Sequence, residues 1–269
     1  MKNICFIILL LLSDISYSQG SDTIADKRHF LGIETGIGYF RIKDTQESPL
    51  IYGHLFVPLH LSYLYSNTKS ISELNIFYFN NTLKSSITNQ SYLSTNNLCL
   101  GLNFDFLKKI NLTLPDNYIF YAGGSFINFT SYRNHNMGDR HRLNADVFSQ
   151  ISIKWRIIKE LSEKSCIYWD CSAPVLSYVM LRRYNLEGFP DEATDTSFDD
   201  WDLLRDGDFL TVNRFIDIWS RVQYEKQIGN RWYITSDYLF RFYHYYRYKN
   251  YFPVNAGINA IELGLKFKL

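Results

Sequence analysis

The segment "NADVFSQISIKWRI", residues 144–157, alternates between apolar and polar side chains almost without interruption. A period of two residues is typical of a β-strand with two unlike faces. A soluble sheet turns its apolar face towards a core, whereas a membrane-spanning sheet turns that face towards lipid. The class of protein therefore depends on which face meets water. The apolar face carries Ala145, Val147, Ile151, Ile153, Trp155 and Ile157, and the polar face carries Asn144, Asp146, Gln150, Ser152, Lys154 and Arg156.

Similar alternating stretches recur along the chain to its last residue. No amphipathic helix of the usual length lies between them, and no linker rich in Pro, Gly or Ser divides them. The pattern therefore predicts one all-β unit of ten strands. These strands cover roughly residues 30–42, 51–65, 70–80, 92–106, 118–131, 142–157, 165–181, 209–225, 231–247 and 257–269.

The N-terminus has the pattern of a secretory signal peptide over residues 1–18. Lys2 supplies the positive start, "ICFIILLLL" the apolar run, and "SYS" the small-residue cleavage pattern before Gln19. The apolar run is short for a membrane helix, so an uncleaved anchor is the less favoured alternative. A polar, flexible segment over 19–29 is expected to precede the folded unit at 30–269. The net charge of +1 argues against a general nucleic-acid binder.

The connections between the predicted strands are unequal in an ordered way. The connections "SNTK", "KELSEK" and "KQIGN" are tight and fall on one side, while the connections on the other side are long. Short turns at one rim, long loops at the other and an even strand count predict a single closed antiparallel transmembrane β-barrel with periplasmic termini. Closure of such a barrel would pair the first strand with the last.

Strand length and aromatic placement favour lipid on the outside. Most stretches exceed the roughly 9–11 residues that a tilted membrane strand needs. Aromatic residues gather near strand ends, most densely in "YLFRFYHYYRYKNYF" at 238–252, as expected at a lipid–water boundary. The alternative is a large secreted sandwich or lipocalin-like barrel, in which the polar faces would look outward.

On these residues the chain resembles the small outer-membrane β-barrel proteins common in Bacteroidota. The "SYS–QG" junction, the aromatic-rich strands and the terminal "IELGLKFKL" carry the resemblance, although Leu269 stands where an aromatic residue is usual. The resemblance implies the outer membrane of a Gram-negative bacterium, contact with outer-membrane lipid, and insertion by the barrel-assembly machinery. It leaves open a place in an outer-membrane protein complex and implies no particular activity.

The inward faces of the predicted barrel carry charges of both signs. Buried charges persist when they are paired and hydrogen-bonded, so we expect a salt-bridged plug of side chains instead of an open pore. The predicted charge network comprises Glu34, Asp105, Asp146, Lys154, Arg156, Asp217, Arg221, Arg241 and Glu262.

Two predicted outer loops have unusual composition. Loop 132–141 is basic, with Arg133 and Arg140 inside it and Arg142 directly after it, and loop 183–208 is acidic. One interpretation is that the two loops pair across the mouth of the barrel; others are a solvated acidic loop or a calcium site. The acidic residues singled out are Asp199, Asp200, Asp202, Asp206 and Asp208.

The leading functional hypothesis is a non-enzymatic barrel whose outer loops bind a ligand or a protein partner. A narrow channel and an outer-membrane enzyme are the alternatives. Omptin proteases need an Asp pair and an Asp–His pair at the outer rim, and "DDWD" at 199–202 with His244 matches them in residue type but not in order. A lipid-modifying enzyme would need a Ser–His dyad, yet His60 and Ser62 project in parallel from one strand. No catalytic residue, metal ligand or cofactor is expected.

Overall fold

The computed structural model describes residues 28–45, 50–85, 93–112, 115, 117–137, 140–185, 207–247 and 252–269. The predicted signal peptide and nearly all of the predicted flexible segment lie outside these residues and stay predictions. No helix in the described part of the chain is long and apolar enough to span a membrane.

All the regular structure in the described residues is β. The strands are long because the alternation of apolar and polar side chains continues over many consecutive residues. In chain order they are β1 (Arg28–Asp44), β2 (Tyr52–Phe56), β3 (Leu59–Ser66), β4 (Ser70–Ser85), β5 (Leu93–Ile110), β6 (Tyr118–Met137), β7 (Arg140–Ser162), β8 (Ser165–Asn185), β9 (Asp208–Thr211), β10 (Phe215–Gln227), β11 (Trp232–Arg247) and β12 (Phe252–Lys268).

The strands form an antiparallel ring. Most sequential strands pair with each other. The exceptions are β2 and β3, which both pair with β1 and β4, and β9, which pairs with β8 beside β10. Because β10 pairs with β8 and β12 pairs with β1, the order of pairing returns to its start. The predicted pairing of the first strand with the last is thereby confirmed. The twelve strands occupy ten positions, because β2 and β3 both lie against β1, and β9 and β10 both lie against β8.

Two of the ten predicted strands are each divided in the structure. The stretch 51–65 is split into β2 and β3 at Val57 and Pro58. Proline has no N–H to donate to the ladder, so pairing stops on either side of it. The stretch 209–225 is split into β9 and β10 by a turn at 212–214.

The structure gives a clear answer to the question of the two faces. Large apolar side chains cover the outside of the ring: those of Ile37, Val57 and Ile261 are 65%, 68% and 63% exposed. The inside of the ring holds the charged and polar side chains, together with a packed group of aromatic rings. A water-soluble sandwich or barrel would show the reverse arrangement.

The interior is divided into two halves along the strands. The half next to the short turns is ionic, while the half next to the long connections is mainly aromatic. The rings pack in tilted, edge-to-face or stacked pairs, with centroids 5.1 Å apart for the tilted pair Phe148 and Phe215 and 5.2 Å apart for the edge-to-face pair Phe148 and Tyr245. The fully buried rings of this aromatic cluster belong to Phe40, Phe79, Phe129, Phe148, Phe215, Tyr243 and Tyr245.

Glycines on the inward faces of β1 and β12 make room at the seam between the first and last strands. Gly264 lies opposite Glu34 in the register. A Cβ atom at position 264 would lie 2.6 Å from the carbonyl oxygen of Ile33 and would also collide with the Glu34 side chain. A glycine is therefore required there for Glu34 to turn into the ring.

The third outer connection is much shorter than the predicted loop 132–141. Strand β6 continues to Met137 and β7 begins at Arg140, so the two strands remain paired up to Met137 opposite Arg140. The prediction of a long basic loop there was wrong, because the alternation of the two faces continues through Arg133 and His135, which are both buried.

Candidate functional site

The ionic half of the ring contains a network centred on Arg221. This side chain is buried, and it donates through Nη2 to Glu34 and through Nε to Asp237. The remaining oxygen of Glu34 accepts hydrogen bonds from Gln223 at 2.6 Å and Thr235 at 2.9 Å. Glu34, on β1, is thereby joined to β10 and β11 on the far side of β12.

A second group, on β4, β5, β7 and β8, surrounds Arg156 and Lys154. Arg156 donates through Nε to Asp170 at 2.5 Å and through Nη2 to Glu73 at 2.6 Å. Lys154 Nζ lies 2.5 Å from Asp105 and 3.5 Å from Asp170. Two neighbouring inward positions of β7 therefore neutralise carboxylates from three other strands.

Lys266 and His60 extend the network towards the seam. Lys266 Nζ lies 2.9 Å from Glu225 and donates to the hydroxyl of Tyr168. His60, on β3, contacts Glu262, on β12, with 2.6 Å between Nδ1 and Oε2. The Lys266–Glu225 pair joins residues 41 positions apart in the chain, and the His60–Glu262 pair joins residues 202 positions apart.

Arg241 and Asp217 mark the boundary between the ionic and the aromatic halves. Arg241 donates to the Asp217 carboxylate from Nε at 2.9 Å and from Nη2 at 2.7 Å. Gln150 donates to the same carboxylate at 2.8 Å. The guanidinium of Arg241 lies 3.9 Å from the centroid of the Phe129 ring, which places its charge over an aromatic face.

Arg133 does not belong to an exposed loop, as the sequence suggested, but to the interior. Its side chain is fully buried on β6, where it donates to Asp146 on β7 and lies 3.3 Å from Asp44 on β1. Tyr245, on β11, donates to the same Asp146 carboxylate. This Arg133 cluster braces the end of the ring that carries the long connections.

The other residues that were predicted to lie in the outer loops are found in different places or lie outside the described residues. Asp208 is exposed at the start of β9. Arg140 and Arg142 lie on β7, but their side chains are outside the described part of the structure, as are Asp199, Asp200, Asp202 and Asp206. The predicted pairing of a basic loop with an acidic loop thus stays a prediction.

Every residue of the predicted charge network lies inside the ring. The side chains of Glu34, Asp105, Asp146, Lys154, Arg156, Asp217, Arg221, Arg241 and Glu262 are all buried. The sequence did not single out the meeting of Glu34, His60 and Glu262. These three residues lie on the inward faces of the first, second and last predicted strands. Closure of the ring makes these strands neighbours, and this was the only sequence feature that could have indicated the contact.

A small cavity lies between the ionic network and the aromatic cluster. Its volume is about 50 Å³, and its lining includes His60, Asn75, Arg221 and Arg241. A space of this size holds about three to five water molecules. Side chains of the ionic network and of the aromatic cluster lie on either side of it, so the cavity is a small space within a filled interior.

Among the described residues, those considered for catalysis do not form a catalytic group. His60 contacts Glu262, and not Ser62. His244 alternates with the inward Tyr243 and Tyr245, so it faces away from the interior, and its Nδ1 lies 2.8 Å from Asn255 Oδ1. Asp199 to Asp202 lie outside the described residues.

The fold is similar to that of outer-membrane β-barrel proteins. The outer-membrane protease OmpT from Escherichia coli superposes with a TM-score of 0.52 and 9% identity, over 93% of this chain and 99% of that chain. The translocator domain of the autotransporter NalP from Neisseria meningitidis gives 0.46 and 7%, over 98% and 96%. Ail of Yersinia pestis, in complex with the heparin analogue sucrose octasulfate, gives 0.32 and 9%, over 89% and 99%.

The likeness to OmpT, which superposes with a TM-score above 0.5, concerns the fold alone, because the identity is low. No protein-family model and no curated protein sequence matches the chain. The similarity of the folds shows that the chain has the architecture of an outer-membrane β-barrel. Its predicted origin in Bacteroidota stays a prediction.

Proposed function

We propose that this chain is a closed, ten-position β-barrel of the Gram-negative outer membrane, whose interior is plugged and whose working surface is the rim with the long connections. The observation that carries this proposal is the contrast between the two faces of the strands. Isolated apolar side chains are common on soluble proteins, but a continuous apolar belt around a ring with a charged interior is suited to hydrocarbon surroundings.

The filled interior supports a non-conducting barrel. Buried ion pairs join β1 to β10 and β5 to β7 in one section of the ring, and the aromatic cluster fills the section above them. Opening a path for ions would require separating buried ion pairs, which are costly to break. The barrel would then act as a rigid support for its outer rim.

We expect the purified mature chain to give no stepwise conductance in a planar lipid bilayer, because its lumen is filled. A large, water-filled porin recorded in the same bilayer serves as the positive control for an open lumen. Steady single-channel steps from the wild-type chain would contradict the plugged-barrel proposal.

The Arg133 cluster supports a role for the outer rim. It joins β1, β6, β7 and β11 just below the long connections, so the base of those connections is held in place. A binding surface is most effective when its supporting elements are rigid. The predicted acidic segment 183–208 starts and ends at this rim.

Replacing residues 186–206 by a short Gly/Ser linker should leave the barrel folded and abolish ligand or partner binding. The folded state is checked by heat-modifiable gel migration, and binding by chemical cross-linking on intact cells. The matched control is the same replacement of residues 228–231, a turn at the opposite rim. Identical cross-linked species from the wild type and the 186–206 variant would rule out binding through this segment.

A further inference from the structure

We infer that Glu34, His60 and Glu262 form a binding site for a divalent transition-metal cation of the zinc class, placed across the seam between the first and last strands. The sequence predicted no metal ligands. The inference goes beyond the proposed function, since a plugged barrel requires no metal.

The three side chains are close enough to share one ion. One ligand atom from each, a histidine nitrogen or a carboxylate oxygen, lies within 4.8 Å of the others. All three side chains are buried. Two atoms at about 2.1 Å from a tetrahedral zinc ion are about 3.4 Å apart. Binding would therefore open the 2.6 Å contact between His60 and Glu262 and draw Glu34 inward.

Glu262 provides an independent indication of a missing ligand. Its carboxylate is fully buried, and one oxygen contacts His60. The other oxygen, Oε1, has no hydrogen-bond partner among the described residues. A buried carboxylate oxygen without a partner is costly, whereas coordination to a cation would satisfy it.

The charge balance around the site also favours a cation. The four groups of ion pairs in the ionic half together have seven carboxylates and four basic side chains, which leaves three negative charges in excess when His60 is neutral. A divalent cation would remove two of them. The carboxylates belong to Glu34, Glu73, Asp105, Asp170, Glu225, Asp237 and Glu262, and the basic groups to Lys154, Arg156, Arg221 and Lys266.

The nature of the donors selects the class of metal. One imidazole nitrogen and two carboxylate oxygens suit Zn²⁺ and its neighbours, whereas Ca²⁺ requires six to eight oxygen ligands and Mg²⁺ an octahedral oxygen shell. The small cavity borders His60 and can hold the water molecule that completes a four-coordinate site. Arg221 already contacts Glu34, so His60 and Glu262 are expected to contribute most of the affinity.

Zinc bound there would join three strands across the closure of the ring, because Glu34 lies on β1, His60 on β3 and Glu262 on β12. The mature chain, refolded in detergent and stripped with EDTA, should bind one equivalent of zinc, measured by calorimetry with ZnCl₂ alone and by elemental analysis. Zinc should also raise the temperature at which the folded gel band is lost. Calcium at the same concentration should do neither.

His60→Gln should weaken zinc binding at least tenfold and abolish the zinc-dependent rise in the unfolding temperature. The matched control is His244→Gln, which removes a histidine on the outside of the ring and should bind zinc as the wild type does. If His60→Gln fails to fold, the absorption spectrum of the wild type with Co²⁺ decides, because a tetrahedral site gives strong visible bands and an octahedral or absent site does not.

Failure of the folded wild type to bind zinc would overturn the inference, and so would unchanged binding by His60→Gln. Either result would leave the proposed plugged barrel intact, because the conductance and cross-linking experiments are carried out without added metal.

Discussion

Replacement of Arg221 by Met should lower the free energy of unfolding of the barrel by about 3–5 kcal/mol, since it leaves buried carboxylates without their counter-charge. Arg221 is the basic partner shared by Glu34 and Asp237, and it also borders the internal cavity. Methionine keeps much of the volume of the side chain, so loss of charge dominates the effect. The measurement is the urea midpoint of unfolding in phospholipid vesicles.

Two further variants separate loss of charge from loss of packing. Arg231→Met removes an exposed arginine in the turn that follows β10, and the free energy of unfolding should change by no more than about 0.5 kcal/mol. Adding Glu34→Gln and Asp237→Asn to Arg221→Met should recover part of the lost stability. If Arg221→Met unfolds at the same urea concentration as Arg231→Met, the network does not stabilise the barrel.

Replacement of Ile37 by Arg should destabilise the barrel by about 2–4 kcal/mol if the outer face meets lipid. Ile37 lies near the middle of β1, and its side chain is 65% exposed. At an exposed position of a water-soluble protein the same change would alter stability by about 0.5 kcal/mol at most. The midpoint of unfolding in vesicles thus distinguishes the two environments.

The matched control for this position is Leu112→Arg. Leu112 is 52% exposed and follows β5 at the rim of short turns, where an arginine should cost about 0–1 kcal/mol. Equal stability of the two arginine variants would place Ile37 in water, and the membrane orientation would have to be abandoned.

The alternation of side chains predicted the strands well but their limits less well. Stretch 142–157 became β7, and the polar members of its alternating pattern, Asp146, Lys154 and Arg156, are indeed inside the ring. The wrong prediction that Arg133 lies in a loop also arose from considering only neighbouring residues. A basic residue next to polar neighbours looks like a loop, although the pairing of β6 with β7 continues past it.

The sequence by itself determined that the chain is a set of long strands with one apolar and one polar face, because that pattern depends on neighbours two positions apart. The tertiary structure decided which charges meet. Glu34 contacts Arg221 and His60 contacts Glu262 across 187 and 202 positions of the chain. Such contacts depend on the closure of the ring and the register of every strand between them, and no local pattern of residues carries that information.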